Sequence, residues 1–268
     1  MTFLEVADHG RGPAVMLLHA FPCDHRMWDN QVEPVLAAGW RVLVPDLPGF
    51  GASELPSEGK PHLGEVVERL VAASMDRGVD RLVLAGLSVG GYLAMEWLRR
   101  YPEMLAGVGL FDTKATSDSA EARGNRVAMA EAIDADPAGC ADLLRERLLP
   151  VILGSTSHES RPDVVAQVTA WMRTADPMTV AWYQRAMADR PDSVETLSGV
   201  DVPALVLWGD EDQMSPIAEQ QIMLDALRDA RSAAIPGAGH LSAIEQPELV
   251  ARELVDFLTR VQRAGISG

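Results

Sequence analysis

The chain has 268 residues, of which 47% are hydrophobic and 23% charged, a size and composition that suit one globular domain with a large buried core. Its 39 acidic residues outnumber the 23 lysines and arginines, so the formal net charge is −16. A field of that sign repels nucleic-acid backbones and anionic membrane surfaces, and we expect neither as a partner.

The sequence also bears on targeting segments, membrane spans and the role of the cysteines. No basic start leads into an apolar leader, and no apolar stretch approaches the roughly 20 residues that span a bilayer. The two cysteines, Cys23 and Cys140, lie far apart and provide neither a disulfide framework nor a metal-ligand spacing. We therefore expect a cytoplasmic protein, a monomer or homodimer, without a structural metal.

Short apolar runs alternate along the chain with longer amphipathic segments. The runs predict strands at 14–18, 41–44, 81–85, 107–111 and 204–208, with a weaker strand at 231–235. The amphipathic segments predict helices at 63–76, 89–101, 217–227 and 247–262. This alternation is typical of a parallel sheet whose strands are joined by crossover helices, and it predicts an α/β fold.

The alternation stops between residues 113 and 199. This stretch shows helical segments separated by prolines and no convincing strand. We expect a helical lid at 113–199, inserted before the strand at 204–208 and covering the carboxyl-terminal strand edge, where open α/β sheets bind ligands. The core would then comprise residues 1–112 and 200–268. A separate helical domain is the weaker alternative, because strand–helix alternation resumes at Ala204.

The strongest chemical signal is the segment Gly86-Leu87-Ser88-Val89-Gly90, which matches the pattern G-x-S-x-G. It follows a buried strand and begins a helix, the setting in which this pattern forms a sharp turn that exposes a nucleophilic serine. Glycines are needed because side chains two residues from the serine would meet the adjoining strand and helix. The alternative is an ordinary serine in a glycine-rich turn.

A serine hydroxyl needs a base to take its proton and a carboxylate to orient that base. His240 lies in a glycine-flanked loop after the last predicted strand, and we expect it to be the base. We expect Asp212, in the turn after the strand at 204–208, to be the acid. Asp112, directly after the preceding strand, is the rival acid. The other acids of the turn are Asp210 and Glu211.

Acyl transfer also requires two N–H groups directed at the developing oxyanion. One donor is expected to be the backbone N–H of Val89, the residue after the serine. The other is expected to be the N–H of Phe21 in the loop after the first predicted strand, where Pro22 would shape the turn. His19 in that loop is expected to brace it by hydrogen bonding.

Several of these segments together resemble the α/β-hydrolase superfamily, most closely its 3-oxoadipate enol-lactonase-like or carboxylesterase branch. They are HAFPCDHRMW at 19–28, PDLPGFGAS at 45–53, the stretch 86–91, WGDED at 208–212 and the stretch 237–240. The resemblance implies a mostly parallel sheet of about seven strands flanked by helices. It also implies a catalytic triad of Ser88, Asp212 and His240, oxyanion donors Phe21 and Val89, and no cofactor.

Three features depart from the usual pattern of that family. Ala20 replaces a common glycine in the oxyanion loop, and Val89 replaces a common Met or Gln after the serine. The segment before Ala14 is short where two strands are usual, so we expect one strand fewer at the sheet edge.

The expected function is hydrolysis of a small carboxylic ester or lactone through an acyl-enzyme on Ser88. The alternatives are a cofactor-free haloperoxidase or perhydrolase, a carbon–carbon bond hydrolase, or a ligand receptor that retains the triad. The acidic composition favours a neutral or weakly polar substrate. A substrate carboxylate would instead need an arginine in the pocket, for which the candidates are Arg26, Arg123, Arg126 and Arg185.

Overall fold

A computed structural model describes residues 4–55 and 60–265. Its centre is a sheet of seven strands in the order β1-β3-β2-β4-β5-β6-β7. Strand β1 pairs antiparallel with β3, and all other neighbours run parallel. The strands are β1 Val6–His9, β2 Ala14–Leu18, β3 Arg41–Pro45, β4 Leu82–Leu87, β5 Leu105–Phe111, β6 Ala204–Gly209 and β7 Ala230–Ile235.

The three central strands, β2, β4 and β5, are buried at every position. They consist of aliphatic residues, Met16, Phe111 and glycines, without alternation of polar and apolar side chains. This pattern is expected where helices cover both faces of a parallel sheet. The edge strand β7, in contrast, exposes several of its residues.

Thirteen α-helices accompany the sheet in the described residues. Those of the core are α1 Asp29–Ala37, α2 Leu63–Asp76, α3 Val89–Arg100, α11 Ile217–Ala226, α12 Ser242–Glu245 and α13 Pro247–Arg263. Helix α1 packs against α13, and α2 packs against α3. None of the helices in residues 4–55 and 60–265 combines the length and the apolar character needed to cross a membrane.

The remaining helices lie between β5 and β6, and residues 113–199, all of them described, contain no strand. They are α4 Ala120–Ala135, α5 Cys140–Arg147, α6 Leu149–Ile152, α7 Ser155–Ser160, α8 Pro162–Thr174, α9 Pro177–Ala188 and α10 Val194–Ser198. The most extensive packing among them is between α4 and α9. Pro162 and Pro177 each occupy the first helical position, where the missing N–H costs no hydrogen bond.

The predicted fold class is confirmed, with seven strands where about seven were expected. The bounds of α2 agree with the prediction, whereas β5 begins two residues earlier, at Leu105. Three elements of the core were missed: β1, α1 and the short helix α12. Strand β1 is short and largely exposed, and α1 contains Pro34, a residue that normally interrupts helices. One strand of the described chain, β1, precedes Ala14.

Candidate active site

Ser88 occupies the turn between β4 and α3. Its backbone has φ 57° and ψ −112°, a conformation that costs an L-residue energy and persists only where its surroundings enforce it. The Ser88 N–H donates to the Phe111 carbonyl at 2.9 Å, which ties the turn to the end of β5. The strained turn therefore directs the serine side chain away from the sheet edge.

The glycines around Ser88 are required by their close packing. A Cβ placed on Gly86 would overlap the Gly90 carbonyl, and one placed on Gly90 would overlap the Leu18 carbonyl. Both obstacles are backbone atoms, which cannot rotate away as a side chain could. The spacing of G-x-S-x-G thus reflects the contact between β4, α3 and β2.

Ser88, His240 and Asp212 form a continuous chain of hydrogen bonds. His240 Nε2 lies 2.7 Å from Ser88 Oγ, although 152 positions separate the two residues in the sequence. The other ring nitrogen, His240 Nδ1, lies 3.0 Å and 2.9 Å from the two oxygens of Asp212. The three side chains predicted from the sequence are therefore brought together, with the imidazole between hydroxyl and carboxylate.

The Asp212 carboxylate is held by further donors. Its Oδ1 accepts hydrogen bonds from the N–H groups of Met214 at 2.8 Å and Ser215 at 3.1 Å, and its Oδ2 accepts one from the Ser215 hydroxyl. Burial alone raises the pKa of Asp212. The facing His240 and these hydrogen bonds outweigh burial and lower the pKa to about 2. The carboxylate therefore stays ionised at neutral pH.

The rival acid, Asp112, does not face His240. Its side chain is fully buried at the end of β5, where Oδ1 accepts the Gly209 N–H at 2.7 Å and Oδ2 is bonded to the Ser242 hydroxyl. Burial, reinforced by the negative charge of Asp212, raises the pKa of Asp112 well above its usual value. Asp112 is thus a buried link between β5, β6 and the segment after His240.

The two other acids in the turn after β6 have separate partners. Asp210 accepts the Gly237 N–H at 2.8 Å, and Glu211 accepts the N–H and hydroxyl of Thr156. Among the acids considered from the sequence, Asp212 has the only hydrogen bond to His240 found in the described chain.

The predicted oxyanion donors lie beside Ser88. Phe21 lines the same cavity as Ser88, and Val89 is the first residue of α3. Neither N–H donates to another group within residues 4–55 and 60–265. The loop that carries Phe21 is braced by the buried His19, whose Nδ1 lies 2.9 Å from the Ala20 carbonyl and whose Nε2 accepts the Leu47 N–H. Burial lowers the pKa of His19, which favours this neutral bridging form.

Ser88 and His240 open onto a small cavity of about 70 Å³. Its other lining residues are Phe21, Tyr92, Lys114, Arg126, Leu148, Gln184, Met187 and Met214. Of the four candidate arginines, Arg126 lines this cavity. The other three form ion pairs with carboxylates, Arg26 with Asp24, Arg123 with Asp189 and Arg185 with Asp134.

Sequence reasoning missed Lys114, which lies shortly after β5 at the strand edge where ligands bind. Lys114, Arg126 and Arg190 surround one buried carboxylate, that of Asp118. Although burial raises it, Arg126 and Arg190 lower the pKa of Asp118 below its usual value. Two of these cations, Lys114 and Arg126, line the cavity beside Ser88, in a chain that is acidic as a whole.

The best candidate for a metal-ligand set in the described residues is the group Asp24, His25 and Asp46. Its possible ligand atoms already form hydrogen bonds or ion pairs within the protein. Asp46 Oδ1 accepts both the N–H of His25 and a hydrogen bond from its ring, and Asp24 forms a two-point ion pair with Arg26. This group is therefore a structural network around the loop after β2.

The profile described as "alpha/beta hydrolase fold" matches residues 13–247. The chain belongs to the α/β-hydrolase family. The match includes the strained turn at Ser88, the turn at Asp212 and the loop at His240.

Individual members of the hydrolase family resemble the whole chain. A thermophilic esterase from Thermogutta terrifontis, solved with malate bound, is 36% identical with a TM-score of 0.90, covering 96% of this chain and 93% of its own. The enol-lactonase from Burkholderia xenovorans LB400 is 26% identical with a TM-score of 0.86, covering 96% and 97%. The 2-hydroxy-6-oxo-6-phenylhexa-2,4-dienoate hydrolase of Comamonas testosteroni is 26% identical over 259 residues, 94% of this chain and 89% of its own.

Proposed function

We propose that this hydrolase cleaves a small carboxylic ester or lactone through an acyl-enzyme on Ser88. The observation that carries the proposal is the 2.7 Å contact between Ser88 Oγ and His240 Nε2, with Asp212 bonded to the opposite ring nitrogen. A neutral imidazole held in this way accepts the serine proton as the hydroxyl attacks. The esterase and enol-lactonase relatives support the same chemistry.

In the first step, Ser88 Oγ bonds to the carbonyl carbon of the substrate while its proton passes to His240 Nε2. The carbonyl oxygen becomes an oxyanion that accepts hydrogen bonds from the N–H groups of Phe21 and Val89. His240 then returns the proton to the departing alkoxide, and the C–O bond breaks. The product is a free alcohol, or for a lactone the hydroxyl end of the same molecule, and an acyl ester on Ser88.

In the second step, water gives a proton to His240 and its oxygen attacks the acyl carbon. Collapse of this intermediate breaks the bond to Ser88 Oγ, which recovers its proton from His240. Asp212 remains ionised throughout because its pKa is about 2, and it stabilises the imidazolium that forms in each step.

Charge beside the cavity supports a substrate that carries a carboxylate. Composition alone favoured a neutral substrate, but Lys114 and Arg126 both line the cavity. Arg126 Nε is bonded to Asp118 and Nη1 donates to Gln184 at 3.4 Å, while Nη2 donates to no atom in residues 4–55 and 60–265. The Lys114 ammonium lies 3.3 Å from Asp118 Oδ1, and that oxygen accepts no well-aligned hydrogen bond from the described chain. Both cations thus retain donors for an anionic group.

The helices of residues 113–199 are proposed to act as the lid of this site, over the core of residues 1–112 and 200–268. Three of the cavity-lining residues, Arg126 on α4 and Gln184 and Met187 on α9, belong to them. These helices would therefore shape the acyl pocket and exclude water from it.

Carbon–carbon bond hydrolysis is the second candidate, supported by the dienoate hydrolase relative. The same serine, histidine and aspartate would serve, and the cationic cavity would also suit the carboxylate of such a substrate. A haloperoxidase or perhydrolase activity has no separate support in the geometry of the cavity.

The proposal is tested with a panel of p-nitrophenyl esters of increasing acyl length, assayed on wild type and on Ser88→Ala. We expect turnover of the short acyl esters by wild type and a loss of about three orders of magnitude or more in kcat for Ser88→Ala. Mass spectrometry after acid quenching should detect the acyl group on the peptide that contains Ser88. A wild-type protein inert to every ester would refute the esterase proposal. The assay would then turn to vinylogous 1,5-diketones, the substrate class of the second candidate.

A further inference from the structure

A short segment at residues 152–157, from the end of α6 into α7, packs directly on the loop that carries His240. The His240 N–H donates to the Ile152 carbonyl at 3.2 Å. A Cβ placed on Gly154 would lie 2.8 Å from the Gly239 nitrogen, and one placed on Gly239 would overlap the Gly154 nitrogen. The two backbones therefore touch with no side chain between them, just before the histidine.

Glu245 joins the same two segments from the other side of His240. Its side chain is fully buried. One carboxylate oxygen, Oε1, accepts the N–H of Leu241, the residue after His240, at 3.0 Å. The other, Oε2, accepts the Gly154 N–H at 2.8 Å and the Ser157 hydroxyl at 2.7 Å. A single carboxylate thus satisfies two backbone N–H groups and one hydroxyl that would otherwise be buried without acceptors.

We propose that Glu245 is a positioning residue for His240, fixing the imidazole against Ser88 by bonding Leu241 to the 152–157 segment. This inference rests on the proposed function, since it assigns Glu245 an effect on the reaction that His240 performs. Glu245 touches neither Ser88 nor His240 by a side-chain hydrogen bond in the described chain. Its effect passes through the backbone on either side of the histidine.

The physical reason is that proton transfer is sensitive to the distance between donor and acceptor. The imidazole must keep 2.7 Å to Ser88 Oγ and about 3 Å to both Asp212 oxygens at once. A loop flanked by glycines cannot hold a ring to that accuracy by its own stiffness. The N–H groups of His240 and Leu241 are both bonded, one to Ile152 and one to Glu245, and these bonds restrict the loop.

The 152–157 segment and the residue after α7 make further bonds to the core. Glu211 adds a second connection, accepting the N–H and hydroxyl of Thr156. Arg161, directly after α7, donates to the Glu245 carbonyl at 2.9 Å. The 152–157 segment is therefore bonded to the core at Glu211 as well as at Glu245. Of these two carboxylates, only Glu245 also bonds a sequence neighbour of His240 in the described chain.

Glu245→Gln is the test, because it keeps the shape of the side chain and removes one acceptor. The amide cannot accept from Leu241 at one end and from Gly154 and Ser157 at the other, since one end now carries N–H donors. We expect kcat for a p-nitrophenyl ester to fall about tenfold to a hundredfold with KM changed less than about threefold. The downfield proton resonance of His240 Nδ1–H should broaden or shift.

Glu211→Gln is the matched control. It weakens the bonds between the same segment and the turn after β6 but removes no bond to a neighbour of His240. We expect it to lower the melting temperature by a smaller amount, since Glu211 is only partly buried, and to leave kcat and the His240 resonance close to wild type. If Glu245→Gln lowers only the melting temperature, with kcat measured well below that temperature and the resonance unchanged, Glu245 is merely structural and the inference is wrong.

The resonance also separates this inference from the proposed function. Should the wild type hydrolyse no ester, the function is wrong, yet a displaced His240 resonance in Glu245→Gln and a native one in Glu211→Gln would still support the positioning role. Active wild type with unaffected Glu245→Gln would refute the positioning role alone.

Discussion

The Asp112 carboxyl accepts the N–H of Gly209 at 2.7 Å, shortly before Asp212 in the chain. Its second oxygen is bonded to the Ser242 hydroxyl, shortly after His240. Asp112 therefore holds the backbone near Asp212 and near His240, two members of the proposed triad, without touching the imidazole. The two aspartates have opposite electrostatic settings, since the pKa of Asp112 is raised and that of Asp212 is lowered.

These settings predict different results for the two asparagine variants. Asp212→Asn should lower kcat by about four orders of magnitude, because an amide neither fixes the tautomer of His240 nor stabilises its charged form. Asp112→Asn should retain most of the activity, since its amide can still accept from Gly209 and donate to the Ser242 hydroxyl. Steady-state kinetics with p-nitrophenyl butyrate measures both, and the reverse ranking would make Asp112 the acid.

Acid titration should reveal the stabilising charge of Asp212. Its pKa is lowered from 3.8 to about 2 on folding, so it stabilises the fold above pH 3.8 and this contribution disappears as the pH falls through 2. The expected contribution is about 2 kcal/mol. Urea denaturation at a series of pH values should show a flatter profile for Asp212→Asn than for wild type over this window. Parallel profiles would contradict the shift.

The glycines of the serine turn predict a contrast between two alanine variants. Gly90→Ala should destabilise the protein by about 3 kcal/mol and abolish activity, because its Cβ meets the Leu18 backbone. Gly124→Ala should stabilise by about 1 kcal/mol, since it lies inside α4 with open space around the new Cβ. Thermal melting and ester assays of both variants test the contrast, which fails if Gly90→Ala is as stable and active as wild type.

The cationic cavity predicts a preference for substrates with a carboxylate. Wild type should hydrolyse monomethyl glutarate with a higher kcat/KM than dimethyl glutarate, and Arg126→Gln should reduce that ratio about tenfold through loss of a charge-assisted hydrogen bond. Arg123→Gln removes the same charge from the same helix but outside the cavity, so its ratio should match wild type. Equal ratios in all three proteins, measured by titration of released acid, would exclude a role for Arg126 in substrate recognition.

Local sequence was sufficient wherever neighbouring residues decide the structure. The helix at 63–76 was predicted with its observed bounds, because apolar spacing alone marks its buried face. The turn at Ser88 was recognisable because its glycines are required by contacts that every such strand–turn–helix makes. Strand β1 and helix α1 were missed, since the first depends on pairing with β3 and the second continues through Pro34.

The sequence favoured Asp212 over its rival Asp112, although both follow neighbouring strands that end at the same sheet edge. Which carboxylate meets the imidazole depends on the path of each loop, and only the packed structure defines those paths. The same holds for Lys114 and Arg126 beside the cavity and for Glu245 behind the histidine. Their partners are distant in sequence, and Glu245 and Gly154 are 91 positions apart.

The sequence by itself therefore determined the α/β-hydrolase fold and the turn at Ser88, and it predicted Asp212 and His240 as partners of that serine. These follow from local sterics and strand–helix alternation. Only the tertiary structure decided that Asp212 rather than Asp112 contacts His240, and that an acidic chain places positive charge beside Ser88. The physical reason is that charge and hydrogen-bond partners act over a few ångströms of space, and the folding of the sheet and its inserted helices sets those distances.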